Sequence, residues 1–267
     1  MSITNARWEL AQHEEFAWWS PEFFDKQNIE IKQKYSDIFT SIEQQINIQD
    51  DWNILDVGCG PTCISLLFTK GEKYGIDSLL DEYKTRLTLP TGIKLSVGIG
   101  ENIKFKNNFF KIVVCRNALD HTKNPKRVIK EINRVLELGG YFIHAVNVCS
   151  PFVAKMHKYV ERKNSKLKET AHPHFFTADE IGGLLSDRFT ILDKKWITKI
   201  NTESQNENKH FVANGFNLLT HLKFGQIYHK LTVYYFPSQF WKLVNWVNKR
   251  IYKNDWFEEE YFVVCQK

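Results

Sequence analysis

Two short constellations carry residue types suited to chemistry. The first is the run Ile54-Leu-Asp-Val-Gly-Cys-Gly-Pro61, in which Asp56 is followed by Gly58 and Gly60. An apolar strand-like run, an acid and two glycines together bring a backbone against a nucleotide-type ligand, because a turn without side chains leaves room for close approach. Asp77 stands 21 residues after Asp56, at the end of the next such run, where a carboxylate suits a pair of ribose hydroxyls. The second constellation is Asn117, Asp120 and His121, just after the β-branched run Phe110–Cys115. Imidazole titrates near neutral pH, so His121 is placed to take a proton from an acceptor hydroxyl or amine. Further on, His172 and His174 flank Pro173, and one of them is expected to line an acceptor pocket.

The elements that must position these residues follow from periodicity. Residues 4–19 read as a short Trp-rich helix. Ile31, Tyr35, Ile38, Ile42 and Ile46 draw one apolar stripe on a second helix, expected to end near Gln49. Strands are expected at Asn53–Val57, Lys73–Asp77, Lys94–Val97, Phe110–Cys115, Tyr141–Val146 and Phe189–Leu192, with Lys195–Ile197 extending the sixth, and a last strand at Tyr261–Cys265. Helices are expected to begin at Ile64–Thr69 and to cover Leu79–Leu87 and Pro125–Leu136. Thr177-Ala-Asp-Glu180 reads as the capped start of another. Strands alternating with helices at this spacing imply an α/β fold with a doubly wound, mostly parallel sheet. The expected organisation is a helical extension over 1–50, a ligand-binding sheet domain over 51–200 with a basic insert at 151–176, an aromatic helical insertion at 201–257, and a final strand at 258–267.

The glycine loop discriminates between ligands. A dinucleotide fingerprint needs glycine at position 63, which is Cys63, and places no demand for an acid where Asp56 stands. A carboxylate there would repel a pyrophosphate but suit the cationic amino acid end of S-adenosylmethionine. The ordered motifs agree. Asp56-Val-Gly-Cys-Gly60, Gly75-Ile-Asp77, Gly98-Ile-Gly-Glu101, Phe110–His121, Asn124-Pro125 through Gly139-Gly140, and His174-Phe-Phe-Thr177 together resemble the class I S-adenosylmethionine-dependent methyltransferases over roughly residues 50–192.

That resemblance implies a seven-stranded sheet whose last strand runs antiparallel beside the fifth and sixth. It implies S-adenosyl-L-methionine as cofactor, contacted by Asp56, Gly58, Cys59, Gly60, Asp77, Ser78, Gly100, Glu101, Asn102 and Asn117. It implies in-line methyl transfer to a small-molecule, sugar-like or lipid-like acceptor, with His121, Asp120 and His174 as the catalytic candidates. Thr62 stands at the third motif glycine, Ile99 at the usual adenine-loop acid and Leu138 at the usual proline before the double glycine. The first two favour the alternative, a catalytically weak or inactive binding or scaffold protein with the same fold.

Composition narrows the setting. The chain has 267 residues, a formal charge of +5, 43% hydrophobic residues and 25% charged ones, which argues against disorder. No apolar run is long enough to span a bilayer and no signal-peptide pattern opens the chain, so a cytoplasmic location is expected. The five cysteines are odd in number and lack a C-x-x-C spacing, so reduced thiols are expected. Neither Cys59 with Cys63 nor His172 with His174 shows the further ligands a metal site needs, so no metal is expected. The modest charge and the lack of a recognition motif argue against nucleic acid. Lys155, Lys158, Arg162, Lys163, Lys166 and Lys168 could attract an acidic acceptor. The helix expected at 237–253 reads as a lid over the acceptor, a peripheral membrane contact or an amphipathic helix packed on the domain. Aromatics reach 14%, and all eight Trp fall outside residues 53–150, so acceptor choice is expected to reside in the chain's two ends.

Overall fold

The computed structural model describes residues 2–151, 154, 155, 158, 172–197 and 259–267. Most of the basic insert, and the whole aromatic insertion with the helix expected at 237–253, lie outside them. Seven strands form one sheet: β1 (Asn53–Val57), β2 (Glu72–Asp77), β3 (Lys94–Val97), β4 (Phe110–Arg116), β5 (Leu136–Val148), β6 (Thr190–Ile197) and β7 (Glu259–Gln266). Their order is β3-β2-β1-β4-β5-β7-β6. The β3–β2, β2–β1, β1–β4 and β4–β5 pairs are parallel, while β7 runs antiparallel between β5 and β6. The mostly parallel seven-stranded sheet and its antiparallel last strand agree with expectation.

Alternation along the strands builds a core on each face of the sheet. Leu55, Val113, Cys115, Phe142 and Val263 point to one side and pack with Val128, Ile129 and Ile132 of α4 (Pro125–Val135) and Ile181 and Leu185 of α5 (Ala178–Ser186). Their neighbours Ile54, Ile112, Val114, Ile143 and Phe262 point to the other, against Ile31, Tyr35, Phe39 and Ile42 of α2 (Pro21–Gln45). Strand side chains alternate between faces, so parallel strands buried on both sides must be apolar throughout.

Three helix expectations are corrected. Helix α3 covers only Leu80–Lys84 of the expected Leu79–Leu87. The segment after the glycine loop is only a 3-10 turn over Ile64–Leu67, because Cys63 is left-handed at φ 47 and Phe68 returns to an extended conformation. The face that a longer helix would cover is closed by α2 instead, with the Phe39 and Phe68 rings 4.6 Å apart. The second helix ends at Gln45 rather than near Gln49; Asn47 is left-handed there, and Ile48 folds back into the core. In addition, β5 starts at Leu136, five residues before the expected Tyr141, with Gly139 at φ 72 inside it.

A charged knot ties α2 to the sheet. Glu260 of β7, 2% exposed, lies 2.6 Å from Lys34 Nζ and 2.9 Å from Arg116 Nε at the end of β4. The Arg116 guanidinium also lies over the Tyr35 ring, 5.0 Å from its centroid.

Candidate active site

Strand order reverses between β1 and β4, and in open parallel sheets the crevice at such a point, at the carboxyl ends of the strands, receives ligands. The loop after β1 supplies Gly58 and Gly60 and the loop after β4 supplies Asn117–His121, so both constellations come to the same edge.

The glycine loop is shaped by close approach on one side and room on the other. Gly58 and Gly60 have φ of +65 and +53. A Cβ on Gly58 would lie 2.3 Å from the Ala118 Cβ, so this glycine lets the β4 loop press against the β1 loop. A Cβ on Gly60 would meet nothing within 4 Å, so that side of the turn is open.

Three of the expected ligand-contacting acids are engaged with backbone. Asp56, 1% exposed, accepts from the Ser65 N–H at 2.9 Å through Oδ2, while its Oδ1 is buried without a hydrogen-bond partner. Burial pushes its carboxyl up to about 6. Asp77 accepts from the Gly60 N–H through Oδ2 and from the Leu79 N–H through Oδ1, both at 2.9 Å. Burial raises its carboxyl above the ordinary range, and those two bonds oppose the shift. Glu101, 7% exposed, accepts from the Lys123 and Asn124 N–H groups at 2.6 and 2.9 Å, fixing the entry to α4. Among the other expected contacts, Cys59 is buried beside Leu80 and Gly100 is pressed on Val128. Asn102 is exposed, and Ser78 bonds Gln12. Asn117, left-handed at φ 43, accepts from the Asn147 N–H at 3.1 Å and so links the ends of β4 and β5.

These residues fit the cofactor that the loop implied. A carboxylate has about four lone-pair sites, so Asp77 keeps acceptor capacity for hydroxyls beyond its two backbone bonds. The unpartnered Asp56 Oδ1 and the open side of Gly60 supply buried negative charge and space next to it.

The β4 loop is different in kind. Asp120, 4% exposed, has Oδ2 2.8 Å from His172 Nδ1 and 3.7 Å from His121 Nε2. These imidazoles hold its carboxyl well below the usual range against the opposing effect of burial. The rings of His121 and His172 lie 4.3 Å apart between centroids. His174 directs its ring to the backbone: its Nε2 is 2.9 Å from the Thr122 carbonyl, and burial lowers its pKa to about 4. His144, inside β5, lies 2.9 Å from the Cys115 carbonyl and is likewise lowered to about 4 by burial. A small hollow next to Asp120 is lined by Asn147, Cys149, His172, His174 and Phe175. Asp120 and His121 were visible from their place after a strand. The partnership of His172 was not, because it comes from 52 residues away.

Helix α1 (Asn5–Trp18) lies across this edge. The Ile3 N–H donates to the Lys123 carbonyl at 3.0 Å, and Lys123 Nζ sits 4.2 Å from the Trp8 ring centroid. Glu15 Oε2 is 3.7 Å from His121 Nδ1, while its Oε1 accepts from Trp19 Nε1 at 2.8 Å. Phe16 and Trp19 pack on Leu79, Tyr83 and Leu87 beyond β2. Of the basic insert, Lys155 and Lys158 are described; Lys155 is exposed and Lys158 is paired with Glu180. Among the described residues no helix is long and apolar enough to cross a membrane.

Comparison with known proteins agrees with the geometry. Residues 55–144 match the family described as a methyltransferase domain. The chain is 25% identical over 126 residues to the uncharacterized methyltransferase YcgJ of Bacillus subtilis, covering 45% of this chain and 49% of that one. The crystal structure of YcgJ superimposes with a TM-score of 0.54 at 15% identity, covering 86% and 97% of the two chains. The human thiol S-methyltransferase TMT1A is 25% identical over 152 residues, covering 49% and 60%. A geranyl diphosphate methyltransferase in complex with S-adenosylmethionine superimposes with a TM-score of 0.53 at 10% identity, covering 92% and 91%. The chain spans about half the length of the curated relatives it matches. The family match identifies S-adenosylmethionine as the cofactor.

Proposed function

We propose that this chain, whose residues 55–144 form a class I S-adenosylmethionine-dependent methyltransferase domain, methylates a small-molecule acceptor held at the carboxyl end of β4. One observation carries the reading: the open glycine loop after β1 and the Asp120–His121–His172 cluster after β4 meet at the sheet's switch point. When bound, the cofactor supplies an electrophilic methyl group on a sulfonium.

In this reading Gly60 leaves space for the methionine end, and the buried Asp56 and Asp77 carboxylates stabilise its cationic amine and the ribose hydroxyls. Asp120, His121 and His174 border the acceptor side, joined by His172. Displacement at a sulfonium is in-line, so positioning the acceptor atom supplies most of what the protein must contribute. His121 and His172, both touching Asp120, would orient that atom and take up its proton. Helix α1, through Trp8, and Trp19 just beyond it exclude water from the edge.

A sugar-like, lipid-like or acidic acceptor suits the aromatic and basic segments beyond residue 150. Isothermal titration calorimetry with S-adenosylmethionine tests the core of the reading. One site per chain is expected; no binding at millimolar cofactor overturns it in favour of a scaffold protein. That second reading is favoured by one observation, the engagement of Asp56, Asp77 and Glu101 with backbone N–H groups.

A further inference from the structure

We infer that Asp120, His121 and His172 form a binding site for a divalent transition-metal ion on the acceptor side of the cleft. One ligand atom from each lies within 4.8 Å of the others. Ligands about 2.0–2.2 Å from a tetrahedral zinc stand about 3.3 Å from one another. The two Asp120 distances, 2.8 Å to His172 and 3.7 Å to His121, bracket that value. Seating an ion takes a slight parting of Asp120 from His172 and a slight approach of His121.

The donor set selects the ion. Two imidazoles and one carboxylate suit zinc and its first-row neighbours, whereas magnesium and calcium take oxygen ligands. Three protein ligands leave at least one position open, the arrangement of sites that hold a reactant rather than brace a fold. The hollow lined by Asn147, Cys149 and Phe175 adjoins Asp120 and His172, so an ion there could hold an acceptor oxygen or sulfur in it.

Two further observations point to a cation. Asp120 is 4% exposed, and its Oδ1 is buried without a hydrogen-bond partner, a costly state for a carboxylate. His121 Nδ1 is also buried without a hydrogen-bond partner, and it faces Glu15 Oε2 at 3.7 Å. Metal-ligating imidazoles commonly donate their other ring N–H to a carboxylate, which fixes the tautomer and makes the ligand nitrogen more basic. Glu15 is set for that part, because Trp19 holds its other oxygen. Glu15 is thus a positioning residue, acting through His121.

With an ion bound, His121 and His172 act as its ligands and no longer take up the acceptor's proton. Metal binding itself does not rest on the proposed function; only the use of the ion to hold an acceptor does. The test takes the full chain, freed of any affinity tag and stripped with chelator, and titrates it with Co2+ and then with Zn2+ in competition. One equivalent retained after desalting is expected, with weak visible bands and no sulfur-to-metal charge transfer. His172→Gln and His121→Gln should each weaken binding about 100-fold, and Glu15→Gln about tenfold. Asp120→Asn should also lose the ion. Should that buried change prevent folding, His172→Gln decides, since the His172 side chain is 43% exposed. The inference is overturned if the wild-type chain retains no stoichiometric metal, if His172→Gln binds as tightly as wild type, or if a thiolate charge-transfer band places the ion on cysteine. Calorimetry with S-adenosylmethionine on the same samples separates the two claims. Cofactor binding without metal binding would sink this inference alone, and metal binding without cofactor binding would sink the proposed function alone.

Discussion

The two loops that meet at the switch point use their acids in opposite ways. At the carboxyl ends of β1 and β2, Asp56 and Asp77 accept backbone N–H groups, and Glu101 does the same after β3. After β4, Asp120 faces two imidazoles, one of them from a segment distant in sequence. Carboxylates bonded to backbone hold a loop in shape; a carboxylate bonded to titratable side chains holds chemistry in place. The glycine-loop side should therefore answer to mutation mainly through stability and cofactor affinity, and the β4 side through turnover.

The sharpest break in this contrast is expected at Gly58. Gly58→Ala puts a Cβ on a left-handed residue and 2.3 Å from Ala118. It should destabilise the chain by about 4 kcal/mol, overpacking and backbone strain together. Gly60→Ala carries only the backbone strain, about 1 kcal/mol, yet its methyl enters the open side of the loop. Urea denaturation alongside cofactor calorimetry should show Gly58→Ala failing in the first and Gly60→Ala in the second. Equal stability losses would mean that the Ala118 contact is not what demands Gly58.

Asp56 gives the next effect, through pH. Its native carboxyl is raised to about 6, above the unfolded value near 4. Between those values the native chain holds a proton that the unfolded chain has lost. Stability from this group is therefore full below about pH 4 and is lost as pH rises through about 6. The loss is worth about 3 kcal/mol. Subtracting the Asp56→Asn stability curve from that of wild type should isolate this slope, and a flat difference would place the charge elsewhere. The same variant should bind cofactor more weakly at pH 7, since it lacks the negative charge.

Glu101→Ala should cost about 2 kcal/mol by leaving the Lys123 and Asn124 N–H groups without their acceptor. Its effect on cofactor affinity should be smaller than that of Asp77→Ala, and the reverse order would return Glu101 to the ligand. His172→Gln, whose amide can still donate to Asp120, should cost no more than about 2 kcal/mol of stability. Even so, it should lower methyl transfer to any acceptor found. Unfolding at a lower temperature with normal turnover would remove His172 from the acceptor side.

Much of the fold was legible because it is written in local pattern. The seven strands are marked by apolar runs between turn residues, and α4 by Val128, Ile129 and Ile132 on one side. The segment after Gly60 misled for a physical reason. Ile64, Leu66, Leu67 and Phe68 are as apolar as a helix face, and periodicity cannot separate a short buried turn from a helix start. The left-handed Cys63 that ends the continuity leaves no mark in composition. In the site, Asp56, Asp77, Asp120 and His121 were found from their places at strand ends. Their hydrogen-bond partners were not, because a carboxylate reads the same whether it meets a ligand, a backbone N–H or an imidazole. His172 and Glu15 join the cluster only through tertiary placement.

The place of β7 has a consequence for how the chain is made. This strand lies between β5 and β6, and it gives β6 its partner in the sheet. Its Glu260 is separated from Lys34 by 226 positions. During synthesis β1 to β5 can pair in order of emergence, while β6 must wait until β7, much further along the chain, has left the ribosome. Until then the edges of β5 and β6 expose unpaired backbone, and the Arg116 charge at the end of β4 lacks its counterion. Distant pairings of this kind form slowly and are exposed to aggregation meanwhile. Expression at reduced temperature should therefore raise the yield of soluble chain more than a change of promoter or buffer would.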